Sequence, residues 1–302
     1  MHNLVLPKMF LRTLLALLLI ALGPQALAAF KITATTGMVA DMARNIGGAQ
    51  VEVTTLMGAG IDPHLYKATA GDLRRLQQAD LILHNGLHLE GKMAEVLEKL
   101  AKRRPVYAVA SALPRERLLA EKDIPDPHIW MDPALWRLAA EGLLAKLSEL
   151  DPAHAADYRR NAEAWFERID ALDAWARKEL GGVPARQRVL VTAHDAFRYF
   201  GRAYDVEVVG LQGISTATEF GLNDIKRVRE LVLERGVKAI FVESSVSAKG
   251  VTALREGVAQ SGGTLAIGGT LYSDAMGEPG TPEGTWIGML EHNVRTITEA
   301  LR

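Results

Sequence analysis

The pattern that most limits what this chain can fold into is an alternation of short β-rich runs with helical runs. It occurs twice, once on each side of Asp151–Leu180, a segment without glycine. In the first half the spacing predicts strands at Lys31–Thr36, Val51–Met57, Leu81–His84 and Pro105–Ala110. Helices are predicted near Met38–Ile46, Ala70–Gln78 and Lys92–Arg103. The second half repeats the plan with strands at Arg188–Thr192, Glu207–Leu211, Val237–Val242 and Thr264–Ile267. Its helices fall near Phe197–Tyr204, Asn223–Glu234, Lys249–Gln260 and Gly284–Leu301. Strand–helix alternation of this kind gives parallel sheets covered on both faces, so the fold class is α/β. Within Asp151–Leu180, Tyr158, Trp165, Ile169, Leu172 and Trp175 mark one apolar stripe, and a helix of that length reaches about 40 Å. The segment reads either as one rigid connector between two lobes or as two shorter helices in one domain. On the first reading the lobes are residues 29–150 and 181–302, with the connecting helix at 151–180.

Residues 1–28 stand apart. Lys8 and Arg12 precede the apolar run Leu14–Leu22, a Gly-Pro break and Ala26-Leu27-Ala28, which together make a secretory signal cleaved near Ala28. The uninterrupted apolar run is about half of the ~20 residues a membrane span needs. The chain has no cysteine, which excludes disulfides, thiolate metal sites and a cysteine nucleophile. For an exported chain it also excludes acylation at the cleavage site, so the expectation is a free periplasmic protein without a lipid anchor. A formal charge of −1 gives no reason to expect nucleic acid or a membrane surface as partner.

Chemistry-bearing residues fall where strands end, and ligands in open α/β sheets bind in the crevice there. The pentad Asp-Pro-His-aliphatic-aromatic occurs twice, at Asp62–Tyr66 and Asp126–Trp130. His194 closely follows Arg188–Thr192, and Asp274 follows the last strand. His64 and His128 from one lobe, with His194 and Asp274 from the other, could form a metal site of three imidazoles and one carboxylate in an interlobe cleft. Taken singly, each also suits a local role: a turn for the two Asp-Pro histidines, a neutral core imidazole for His194, a helix cap for Asp274. His84 and His88 straddle Asn85-Gly86 and read as strand-end and loop residues. His154 and His292 read as helix-surface residues, and Asp195 as a helix cap ahead of Ala196-Phe197.

The sequence resembles the metal-binding solute receptors of bacterial ABC transporters, most of all the TroA-like family. Thr33–Met38, Asp62–Tyr66, Asn85–Glu90, His128–Pro133, Thr192–Phe197, Gly210–Gly213, Phe241–Ser245 and Ser273–Gly277 carry the resemblance in order, over essentially the whole mature chain. It implies two α/β lobes joined by one long helix, a single metal between them held by His64, His128, His194 and Asp274, and a membrane permease as partner. Glu243 matches no ligand position and is expected to support the site from behind. Relatives often have Glu-Pro where this chain has Glu219-Phe220, which affects local loop shape. Three imidazoles and a carboxylate suit Zn²⁺, and Mn²⁺ favours harder ligands. Zinc is expected first and manganese second, bound one per monomeric chain, with affinity falling as pH drops through about 6.5. A secreted zinc hydrolase is the alternative, disfavoured because four protein ligands leave little room for an activated water.

Overall fold

A computed structural model describes residues 29–302. The expected signal segment and its cleavage near Ala28 lie outside the described residues. Among the described residues, no helix is long and apolar enough to cross a membrane.

The first half builds β1 (Phe30–Ala34), α1 (Gly37–Gly47), β2 (Val51–Thr55), α2 (Ala70–Gln78), β3 (Leu81–His84), α3 (Ala94–Ala101) and β4 (Val106–Ala108). All four strands are parallel, in the order β2-β1-β3-β4. Local chemistry sets the boundaries. The Thr36 side chain accepts from the Val39 N–H to start α1, and Thr69 with Asp72 forms a capping box on α2. Several boundaries are tighter than the sequence suggests. Lys92–Arg103 is helical only from Ala94 to Ala101, after a 3₁₀ turn at Gly91–Met93, and beyond Ala108 the predicted fourth strand coils into another 3₁₀ turn.

Local sequence pattern marks neither of the next two features. A two-strand antiparallel hairpin, β5 (Ala120–Glu121) and β6 (Ile124–Pro125), turns through Lys122 and Asp123 at φ 49° and 68°. Then comes α4 (Pro133–Leu150), whose N-cap Asp132 accepts from the Ala134 and Leu135 N–H groups, with Pro133 at the first helical position. A 3₁₀ turn at Pro152–His154 leads into α5 (Ala155–Gly181), a single uninterrupted helix.

The second half comprises β7 (Val189–His194), α6 (Arg198–Tyr204), β8 (Glu207–Gln212), α7 (Leu222–Arg235), β9 (Ala239–Glu243), α8 (Lys249–Gln260), β10 (Ala266–Leu271) and α9 (Trp286–Leu301). Its parallel sheet runs β10-β9-β7-β8, the same connectivity as the first. The architecture is two parallel-sheet α/β lobes with a long helix between them. One apolar core runs through both. Ile32, Met38 and Trp136 of the first half, Tyr158, Trp165 and Ile169 of α5, and Phe200, Phe241 and Trp286 of the second belong to a single buried cluster. Burial returns roughly 25 cal/mol per Å² of apolar surface, so swinging the lobes wide apart would cost much of this core. Both sheets present their carboxyl ends to the same cleft, and that is where the candidate residues gather.

Candidate metal centre

The structure brings all four sequence-predicted residues to one point. His64 lies in the loop after β2, His128 just after the β5–β6 hairpin, His194 is the last residue of β7, and Asp274 follows β10. His194 thus belongs to its strand, pairing with Gln212, where the sequence placed it in the following loop. One donor atom from each of the four lies within 4.8 Å of the others, and all four residues are buried. The Asp274 carboxylate is central. Its Oδ2 is 3.5 Å from His64 Nε2 and 3.2 Å from His194 Nε2, and its Oδ1 is 3.3 Å from His128 Nε2. These three nitrogens and both carboxylate oxygens have no hydrogen-bond partner. Five convergent, buried nitrogen and oxygen atoms without hydrogen-bond partners are costly without a cation and well matched to one. Among the described residues, no other group of His, Asp and Glu meets the same spacing.

The opposite edges of two rings explain why the Nε2 atoms face inward. Asp126 Oδ1 lies 2.7 Å from His128 Nδ1 and also accepts from the His128 backbone N–H at 3.0 Å. Glu243 does the same for His194: Oε2 is 2.5 Å from Nδ1, and Oε1 accepts from the backbone N–H at 2.8 Å. A carboxylate that takes the Nδ1 proton fixes the tautomer with Nε2 free to bind a metal, and raises ring basicity. Glu243 therefore sits behind His194, as the sequence suggested. Asp126 has the matching role behind His128, which the sequence did not reveal. The two pentads look alike but divide in space. Asp62 also accepts from the backbone N–H of its histidine, His64, at 2.8 Å, yet its other oxygen accepts from Thr216 Oγ1 across the cleft at 2.6 Å. Removing one of these outer partners without touching the donors has a graded cost. Glu243→Gln is expected to weaken Zn²⁺ binding about 10–100-fold, read by chelator competition. Unchanged affinity would show that the carboxylate is idle.

Electrostatics separate the three rings. Burial disfavours charge on His128, but Asp126 and Asp274 outweigh it and raise the imidazole to about 9. His194 is likewise raised well above the ordinary histidine value, Glu243 and Asp274 overcoming its burial. His64 has no such partner, and burial together with repulsion from the other two rings lowers it despite Asp274. Asp274 is also buried, but His194 and His128 hold it well below the usual carboxylate range. The single titration near 6.5 expected from the sequence is thus replaced by two raised rings and one lowered ring.

Other residues fall outside the cluster. His88 is exposed at the rim, while His84 Nδ1 is 3.7 Å from the buried Glu90 carboxylate. Glu90 accepts from Thr35 Oγ1 and the Asn85 N–H at 2.7 Å each, pinning the Asn85–Leu89 loop. His154 closes a 3₁₀ turn and bonds Asp151, so it is half-buried rather than on a solvated helical face. His292 is likewise half-buried, its Nε2 2.9 Å from the Thr270 carbonyl oxygen. Asp195 does not cap α6, which has no side-chain cap. Burial pushes its carboxyl up to about 6 against Arg198. A cavity of about 580 Å³ opens beside the cluster, lined by His64, His88, Ile124, Gln212, Thr218 and Phe220 among others. Of the four clustered residues, only His64 lines it. Gln212 Nε2 donates to the Thr216 and Thr218 carbonyls, tying down the loop that carries Glu219-Phe220.

Against known proteins, a family model described as zinc-uptake complex component A, periplasmic (ZnuA) matches residues 32–300. The chain is 50% identical over 282 residues to the manganese-binding lipoprotein MntA of Bacillus subtilis (strain 168), covering 93% of this chain and 92% of that protein. It is 47% identical over 271 residues to the zinc-binding protein TroA of Treponema pallidum (strain Nichols), covering 89% of this chain and 88% of that one. The solved structure of periplasmic zinc-binding TroA from Treponema pallidum matches with a TM-score of 0.89 at 46% identity. That match covers 91% of this chain and 99% of the other.

Proposed function

The chain belongs to the ZnuA family of periplasmic metal-uptake receptors, and from that premise we propose that it captures one divalent transition metal on His64, His128, His194 and Asp274 and delivers it to an ABC permease. One observation carries the ligand assignment: three imidazole nitrogens and two carboxylate oxygens converge, buried and unpartnered, from both lobes. In this reading residues 29–150 and 181–302 act as the two lobes and 151–180 as their rigid connector. The chain works as a monomer in the periplasm after cleavage near Ala28. With no cysteine in the sequence there is no thiol for lipid attachment.

The geometry supports a receptor better than a hydrolase. A catalytic zinc keeps an open position for water beside a placed base, whereas here all the converging donors are protein groups. His64 is the donor that faces the cavity, so it forms the wall through which the ion comes and goes. The shared core favours small loop rearrangements over a wide lobe swing.

Zinc is the favoured cargo, with manganese second. Imidazole-rich sites follow the Irving–Williams order, in which Zn²⁺ outranks Mn²⁺. Chelator-stripped protein is expected to take up one Zn²⁺ per chain, counted by elemental analysis and native mass spectrometry. In equilibrium competition it should hold Zn²⁺ at least ~10-fold more tightly than Mn²⁺. No bound metal would overturn the receptor reading, and tighter Mn²⁺ would overturn the choice of cargo.

A further inference from the structure

The second pentad ends in Trp130, an aromatic residue that the ligand set does not use. It is fully buried, its ring edge-on to His128 at 5.2 Å between centroids. Its indole Nε1–H donates at 2.9 Å to the carbonyl of Ser273, the residue just before Asp274. Trp286, at the start of α9, answers from the other lobe by donating its Nε1–H to the Trp130 carbonyl at 2.9 Å. The Trp286 backbone N–H in turn donates to Asp41 Oδ2 of α1 at 3.1 Å. Two indoles from opposite lobes therefore bond in series across the interface, through Trp130, two residues from His128, and Ser273, one residue from Asp274.

We propose that Trp130 and Trp286 are positioning residues, an interlobe clamp that fixes the His128–Asp274 separation before any ion arrives. The idea rests on the metal-receptor reading above and deepens it. Neither indole supplies a donor atom; Trp130 also packs on the His128 ring, and each indole hydrogen bond acts through the backbone beside a donor. Both bonds are between neutral groups and need no cation to form. With Glu243 holding His194 on the same lobe as Asp274, three donors are preset, and His64 on the cavity side completes the set. Preset donors minimise the ordering cost of binding and slow the ion's escape, because the clamp must break before His128 and Asp274 can part.

The aromatic cluster supplies its own control. Trp136 is also fully buried and packs on Trp286 with centroids 6.1 Å apart, but its Nε1–H has no partner. Trp130→Phe and Trp286→Phe each remove a clamp hydrogen bond, whereas Trp136→Phe removes a similar volume of ring and no bond. The three variants and the parent are loaded with Zn²⁺, and release into excess chelator is followed by stopped flow. In parallel, the rise in melting temperature on adding Zn²⁺ is measured. The clamp predicts at least a tenfold faster release and a smaller zinc-induced rise for either clamp variant, with Trp136→Phe releasing at the parental rate. Equal release rates across all three variants, each still binding one Zn²⁺, would overturn the clamp and leave the receptor reading intact. A parent that binds no Zn²⁺ overturns both. If one clamp variant does not fold, the other decides the comparison with Trp136→Phe.

Discussion

Asp274→Asn is expected to weaken Zn²⁺ binding by at least ~100-fold in a chain that still folds. Asp274 is the one anion among the four clustered residues, and it faces all three rings at 3.2–3.5 Å with neither oxygen otherwise engaged. Asparagine keeps the shape but loses the charge, and it puts an N–H₂ where a carboxylate oxygen would meet the ion. Removing one partner of a buried charge pair typically costs about 3–5 kcal/mol, which corresponds to ~10²–10⁴ in affinity. Folding should survive because the metal-free protein can adjust. Without the anion, His128 and His194 lose part of what keeps them charged and can sit as neutral rings against Asp126 and Glu243. Adding His64→Ala should abolish tight binding altogether. Isothermal calorimetry with Zn²⁺, alongside circular dichroism of the stripped protein, checks the expectation. An affinity for the single variant within tenfold of the parent would sink the ligand assignment.

What made this site legible in the sequence was repetition and position. The Asp-Pro-His pentads announce themselves because Asp at i bonds the His N–H at i+2 in both copies, a purely local device. Local sequence cannot say that one aspartate also takes up its ring nitrogen while the other reaches across to Thr216, since that choice depends on where the second lobe sits. Glu243 was visible as an acid at a strand end. Its partner became visible only when β7 and β9 proved to be neighbours, ending side by side. Asp195 shows the reverse case. Its place before an apolar pair suggests a cap, yet α6 begins at Arg198, too late for that side chain to serve.

The same division holds for the fold. The connector stood out through its apolar stripe and lack of glycine, and α5 runs from Ala155 to Gly181. By contrast, α4 carries a clear start at Asp132-Pro133, but its apolar residues spread around the helix because it packs on several neighbours, and periodicity alone does not mark it. The β5–β6 hairpin was invisible for a different reason. Its turn places Lys122 and Asp123 at positive φ without the Asn-Gly signature that such a turn usually advertises.

Metal affinity is expected to rise with pH across the neutral range, by at least ~10-fold per pH unit, because binding displaces protons that the metal-free site holds. His128 is raised to about 9, so at pH 7 its ring holds a second proton before the ion arrives, and Glu243 and Asp274 shift His194 in the same direction. A metal needs their Nε2 lone pairs, and each proton expelled costs a factor of ten in affinity for every pH unit below that ring's value. The sign is opposite for the stability of the metal-free fold. The raised histidines contribute stability that is fully present below about 6.5 and, for His128, lost as pH climbs through about 9. Depressed Asp274 contributes stability present above its unfolded value and lost as pH falls through its lower folded one. Raising the pH from 6.5 to 8.5 therefore loosens the metal-free protein while tightening the loaded one, and the zinc-induced rise in melting temperature should grow steadily over that interval. Calorimetry in buffers of different ionisation enthalpy counts the protons directly, with at least one released per Zn²⁺ at pH 7. A proton count of zero, together with a flat affinity from pH 6.5 to 8.5, would mean that Asp126, Glu243 and Asp274 do not keep these rings charged, and that the site meets its ion as neutral imidazoles.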